Sequence, residues 1–253
     1  RKHLEIKGCN AIEAHINPQA EPFLYSDLVP LIRDLAALPE IKTISINTNA
    51  TFLTDPIIDK LAEAGLTRIN FSLNSLNKET AQKMAGASIN IEQIKKAAQY
   101  ASKKMDINIA PVLMKGYNES DIPEIIRFAK ELEKETQFKI RVGIQNYLLY
   151  KHGKNDDEVI KMDDFYGLLK RWEQQFDINL TPDFGIINTE PIPKPFKTGE
   201  IIAAQVMADG RFPKEKIAVA QHRAIVVKNC QKQGMIKIKI IRCKDNVFSA
   251  VPV

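Results

Sequence analysis

Cysteine is scarce in this sequence. The 253 residues contain three, Cys9, Cys230 and Cys243, and no two lie within four positions of each other. That spacing leaves no CxxC-type metal or redox motif and no disulfide framework. The thiols therefore read as buried or incidental, and the compartment as a reducing cytoplasm. Long apolar runs are missing as well. Nothing approaches the ~18 consecutive residues that a membrane span needs, and the opening Arg1-Lys2-His3 has no signal-peptide pattern behind it. Tryptophan occurs once, at Trp172, among apolar neighbours at helical spacing, which marks it as core. Of the four histidines, His3 and His152 fall in charged segments, His222 lies in the basic tail, and His15 sits inside a strand, where a hydrogen-bonded core position is expected.

What is present is unevenly placed. From Lys197 onward there are eleven Lys or Arg against four Asp or Glu, a local charge of +7, while residues 1–196 carry −2. A nearly neutral body thus precedes a basic tail, and a basic tail points to a polyanionic partner.

The body alternates two hydrophobic periods. Strand-like runs occur at Ala11–Asn17, Lys42–Asn49, Arg68–Asn74, Ile107–Met114 and Lys139–Asn146. Between them lie helical patterns at Tyr25–Leu38, Asp55–Ala64, Asn77–Ala85, Ile91–Lys104 and Glu119–Lys134, and Asp163–Phe176 follows the last strand. Ser26 and Asp55 are the expected N-caps, and Gly65 closes its helix. Strands recurring at this spacing, each bridged by a helix, predict an α/β class: a parallel sheet with outer helices, open or as a partial barrel. This body occupies residues 1–178. Residues 179–196, with Pro182, Pro191, Pro193 and Pro195, read as a linker. In 197–253 the pattern changes to five short β-like runs, which predict a small antiparallel barrel.

In a β/α barrel, chemistry gathers at the carboxyl ends of the strands. Four of the five ends here are rich in amides and hydroxyls: Asn47-Thr48-Asn49, Ser72-Leu73-Asn74-Ser75, Met114-Lys115-Gly116-Tyr117-Asn118 and Gln145-Asn146-Tyr147. Such neutral groups both donate and accept, which suits a polar organic ligand such as a nucleoside or amino acid. Tyr147, Tyr150, Lys151 and His152 follow the fifth strand and could line a substrate site.

These residues resemble the radical SAM family. Ala20-Glu21-Pro22 is similar to its Gly-Glu-Pro motif, and Asn47-Thr48-Asn49-Ala50 to its Thr-Asn-Gly ending. Phe71-Ser72-Leu73-Asn74-Ser75 resembles the ribose-contacting motif, and Val112 to Asn118 the segment against adenine. The resemblance covers residues 11–176 and implies S-adenosylmethionine as cofactor. Glu21, beside Pro22, would take the methionine amino group, with Asn47 and Asn49 in the same shell. Ser72 and Asn74 would contact ribose or carboxylate, and Val112 and Leu113 would flank adenine. Two family glycines are alanine here, Ala20 and Ala50, so extra methyl groups stand at close-approach positions. The family also holds a [4Fe–4S] cluster on CxxxCxxC. That motif is absent from this sequence, so its ligands are expected upstream of Arg1.

The tail resembles a TRAM domain. The carrying residues are Lys197-Thr198-Gly199-Glu200, Asp209-Gly210-Arg211, Arg223 to Val227, Ile236-Lys237-Ile238-Lys239-Ile240 and Lys244-Asp245-Asn246. The IKIKI run is a period-two strand with isoleucine inside and lysine outside, successive lysines standing roughly 7 Å apart. Arg211, Arg223, Arg242 and Lys244 would extend this face toward RNA, either tRNA or rRNA. With only Phe212 and Phe248 as aromatics, contact would run mainly through phosphates. Three readings stand at this point. The chain is the C-terminal part of a radical SAM enzyme that modifies RNA or an RNA-associated substrate, a cluster-less RNA-binding scaffold, or a radical SAM enzyme with a small-molecule substrate.

Overall fold

A computed structural model describes residues 4–5, 8, 11–18, 20–149, 159–182, 192–244 and 246–253. Cys9, Tyr150, Lys151, His152, Asp245 and the middle of the proline-rich linker lie outside these residues. The chain divides into two compact units, whose main parts span residues 8–188 and 189–253. None of the described helices is long and apolar enough to cross a membrane.

The first unit is built on five parallel strands in sequential order: β1 (Ile12–Ile16), β2 (Ile41–Thr48), β3 (Arg68–Phe71), β4 (Asp106–Ile109) and β6 (Ile140–Val142). Helices α1 (Leu28–Ala36), α2 (Asp55–Ala64), α3 (Lys78–Ala85), α4 (Ile91–Ser102), α5 (Ile122–Lys134) and α6 (Met162–Phe176) connect or follow them. This is the expected parallel sheet with outer helices, a partial barrel. One side of each strand supplies the core. Ile44, Ile46, Ile69, Phe71, Ile107 and Ile109 are at most 3% exposed and pack with the helices. Burial of each such side chain contributes about 1.5–3 kcal/mol. Trp172 is half-buried against the same cluster.

Two expected strands are interrupted. The run from Ile107 to Met114 splits into β4 and the short β5 (Val112–Leu113), and the run from Lys139 to Asn146 into β6 and β7 (Gln145–Asn146). Pro111 explains the break, because it brings no N–H to the ladder. The carbonyl of Pro111 still accepts from Gln145 N at 2.8 Å, so the chains stay adjacent across the kink. The helix caps also differ from expectation. Asp27 and Thr54 precede α1 and α2, without side-chain capping bonds. Asn77 and Asn90 are the residues that cap, accepting from Glu79, Thr80 and Gln93 amides. Between α2 and α4, Asp59 takes hydrogen bonds from Lys104 and Tyr100, which hold its carboxyl below the usual carboxylate range.

The second unit is a closed five-stranded barrel of β8 (Ile201–Asp209), β9 (Lys216–Ala220), β10 (Arg223–Val227), β11 (Met235–Lys244) and β12 (Val247–Pro252). It is not wholly antiparallel as expected: β10 and β12 pair in parallel, and this pairing closes the barrel. Ile236, Ile238 and Ile240 fill the interior with Val206, Ile225, Val227 and Phe248. Phe196, at the end of the linker by composition, is 2% exposed and packs edge-on to Phe248 in this core.

Gly65 ends α2 at φ +101, and a Cβ there would lie 2.7 Å from Ala36 Cβ. Gly65→Ala should therefore cost about 1–3 kcal/mol from backbone strain, with the crowding added. An unchanged urea midpoint for this variant would contradict the argument.

Candidate functional site

The carboxyl edges of β1 to β3 bring the expected residues to one end of the sheet. Glu21 caps a 3-10 turn at Pro22–Leu24, with the proline at its first position, where its fixed φ suits the turn. The Glu21 carboxylate is held in place: Oε1 accepts from Thr48 Oγ1 at 2.7 Å, and Oε2 from Asn49 N at 2.9 Å. Each oxygen keeps a second lone pair, so the group can accept from a ligand ammonium without losing its support. Asn49 and Ser72 are exposed beside it, and Ser72 N donates to Thr48 O at 2.8 Å, tying the two strand ends together. Ala50 takes φ +61, a glycine-like conformation, and its methyl is fully buried in the core. The methyl thus stays out of ligand space. Ala20 is exposed.

Asn74 has a partner within the fold. Its Oδ1 accepts from Val112 N at 2.8 Å, which fastens the end of β3 to β5. Asn118 completes that link. It is fully buried, its Nδ2 donates to Asn74 O at 2.7 Å and Val112 O at 2.9 Å, and its Oδ1 accepts from Met114 N at 2.9 Å. Val112 keeps partial exposure, whereas Leu113 is fully buried in the core. Sequence reasoning quoted Asn118 only as a motif end. Its side-chain partners lie up to 44 positions away, so no local pattern marks it.

The second face of the sheet is polar, and its organisation was not read from the sequence. Register places His15, Ser45, Arg68 and Asp106 in one row across the strands, and Asn47, Asn70, Asn108 and Arg141 in the next. Parallel sheets usually bury apolar residues on both faces. Here the period-two alternation gives one dry face and one hydrogen-bonding face. Glu13 ties the first row together, accepting from Ser45 Oγ at 2.5 Å and from Arg68 Nη2. His15 Nδ1 lies 2.6 Å from Ser45 Oγ, so His15 is hydrogen-bonded as expected, yet it stays 40% exposed and is not core. Asn108 Oδ1 has no hydrogen-bond partner among the described residues. Glu13, His15, Asn47, Arg68, Asn70 and Asn108 line a cleft of about 390 Å³ together with Ala110 and Gln145. A larger groove of about 980 Å³ between Lys115 and α6 has a mixed aliphatic and charged lining that includes Glu119, Val159, Leu168 and Arg171.

On the barrel, Lys237 and Lys239 face outward as expected, opposite the buried isoleucines. Strict alternation from Ile236 would turn Arg242 and Lys244 inward. A bulge between Ile240 and Arg242 shifts the register and leaves both exposed. Arg211 is exposed over the Phe212 ring. Arg223 departs from the expected patch. It shares the inward side of β10 with Ile225 and Val227, is 7% exposed, and donates to Pro193 O at 3.1 Å.

A parallel sheet with helices on one face, polar groups on the other and a braced carboxylate at its carboxyl edge defines a partial β/α barrel. Residues 13–129 match the Radical SAM superfamily. An uncharacterized protein of Methanocaldococcus jannaschii is 32% identical over 279 aligned residues, covering 99% of this chain and 64% of that protein. A GTP 3',8-cyclase of Aquifex aeolicus is 32% identical over 202 residues, covering 76% of this chain and 62% of the cyclase. The chain therefore spans less than two thirds of either relative. Streptococcus suis SuiB shares the fold, with a TM-score of 0.54 at 20% identity over 67% of this chain and 37% of that one.

Removing the Asn118 side chain should leave Met114 N–H and two carbonyls without partners in a buried site. At about 1–3 kcal/mol for each orphaned group, Asn118→Ala should lose at least about 2 kcal/mol of stability in urea titration, and Met114 amide exchange should accelerate. A loss below about 1 kcal/mol would show that water replaces the amide.

Proposed function

We propose that the first unit is the S-adenosylmethionine-binding part of a radical SAM enzyme and that the basic barrel docks it on RNA. The observation that carries the first half is the braced Glu21 carboxylate at the carboxyl edge of a radical SAM segment, with exposed Asn49 and Ser72 beside it. Glu21 would accept from the methionine ammonium, and Ser72 would bond the ribose or carboxylate. Val112 would lie against adenine, while Asn74 and the Pro22 turn position these groups. When bound, the cofactor supplies one-electron chemistry together with a reduced [4Fe–4S] cluster. The three cysteines of this sequence do not fit that cluster, and the described residues hold no group of three metal-ligating side chains. The proposal is accordingly conditional on thiolates from outside residues 1–253.

The test uses the native full-length protein, reconstituted anaerobically with iron and sulfide. Dithionite and S-adenosylmethionine should yield 5'-deoxyadenosine, and Glu21→Gln should lower the yield at least about tenfold, equivalent to one charge-assisted hydrogen bond. A filled cluster that gives no 5'-deoxyadenosine overturns the reading.

For the barrel, the supporting observation is the outward set of Arg211, Lys237, Lys239, Arg242 and Lys244. Five neutralised phosphates on a single strand would give a slope of about −3.5 in log affinity against log salt. Electrophoretic titration with tRNA and ribosomal RNA fragments measures it, and a flat salt dependence removes RNA from the reading. A second reading, a small-molecule substrate, is favoured by the alignment with a GTP 3',8-cyclase over 76% of this chain. Product analysis after incubation with free GTP or with RNA separates the two.

A further inference from the structure

Helix α6 turns Phe165 and Leu169 into the core of the first unit and leaves its opposite side in water. On that outer side Asp163, Gly167 and Arg171 follow one another at i, i+4 and i+8, so they form a single ridge. At 1.5 Å per residue the ridge runs about 12 Å, with the glycine at its midpoint. Neither crowding nor an unusual backbone calls for that glycine. It is helical, and a Cβ at the position would meet nothing within 4 Å. A glycine inside a helix weakens it relative to alanine. Among the described residues, no contact accounts for its presence.

The ends of the ridge carry opposite charges that the fold does not use. Neither the Asp163 carboxylate nor the Arg171 guanidinium makes an ion pair or hydrogen bond among the described residues. An acidic side chain at position 167 would stand four residues before Arg171 and pair with it. Glycine leaves that guanidinium open. The groove of about 980 Å³ lies beside this ridge. Its charges are balanced, with Lys115, Lys161 and Arg171 against Glu119, Asp163 and Asp164. A polyanion gains little from such a surface, whereas a surface that itself carries both signs is matched by it. Apolar area adjoins the ridge as well. Met162 and Tyr166, on the neighbouring i, i+4 ridge, are 48% and 53% exposed.

We infer that α6 is the contact surface for a second copy of this chain, with the two α6 helices crossing antiparallel at Gly167. A two-fold axis through the midpoint of the ridge brings Asp163 to the partner's Arg171 and Arg171 to the partner's Asp163. One operation thus pairs both charges, and the ridge is complementary to itself. The two glycines meet at the crossing point. There the missing side chains let the backbones approach and the flanking side chains interdigitate, as i±4 ridges do. Met162 and Tyr166 lose exposure beside the crossing, which adds the apolar burial that exposed ion pairs alone do not supply.

Sedimentation equilibrium of the native full-length protein tests this. The parent should form dimers. Asp163→Arg and Arg171→Asp each turn two attractive pairs into two repulsive ones, so each should weaken self-association at least about tenfold. Mixed together, these two variants should associate with each other about as tightly as the parent does with itself, because every Arg of the ridge then faces an Asp. Gly167→Leu places a side chain at the crossing and should weaken the dimer by a similar factor. Within the single chain the new side chain enters open space and improves the helix, so in dilute solution this variant should melt no lower than the parent. It carries the test if a charge variant does not fold. Recovery in the mixture supports the pairing directly, since a defect within either chain would persist there. A parent that stays monomeric, a dimer indifferent to all of these substitutions, or single losses that mixing does not restore overturns the inference.

Discussion

The dry face of the first unit's sheet is the constraint on which the rest of that unit depends. Ile44, Ile46, Ile69, Phe71, Ile107 and Ile109 are held out of water by the helices, and their period of two leaves every intervening residue on the opposite side. A slip of one residue in any strand would carry its isoleucines into the polar cleft and its polar residues into the core. The register is therefore strongly specified. The same register assembles the row of asparagines and the row from His15 to Asp106. The core and the polar face are two consequences of one alternation.

At the carboxyl edge, the connections between strands matter more than the strands themselves. Thr48 and Asn49 brace Glu21, and Asn118 joins the end of β3 to β5 through three hydrogen bonds. Pro111 interrupts the ladder where a continuous strand would have filled this space. Asn74, read as a ligand contact from its motif, also holds the backbone on which Val112 sits. Ala50 shows the converse. It occupies a position whose backbone asks for glycine, and the fold accommodates the substitution by burying the methyl in the core.

The barrel repeats the logic of alternation with one irregularity. Ile236, Ile238 and Ile240 enter the core and Lys237 and Lys239 face out, until the bulge before Arg242 resets the pattern. Without that extra residue, two positive charges would point into a core of isoleucine and phenylalanine, at a desolvation cost. Arg223 does point inward, and it finds the carbonyl of Pro193.

By itself the sequence determined the order and kind of nearly every element, the sidedness of the IKIKI strand, the closing role of Gly65 and the division between a near-neutral body and a basic barrel. These are local properties: hydrophobic period, turn chemistry and charge lie within a few residues of one another. The tertiary structure alone decided which polar residues share a face, that His15 is exposed while Arg223 is buried, that the barrel closes through a parallel pair, and that Asn118 and Asn108 hold special positions. Each of these depends on strand register or on a hydrogen bond between residues far apart in the chain. Such pairings arise only when separate segments are packed together, because the energy that selects them, burial of the isoleucine face and satisfaction of buried polar groups, belongs to the assembled sheet rather than to any one strand.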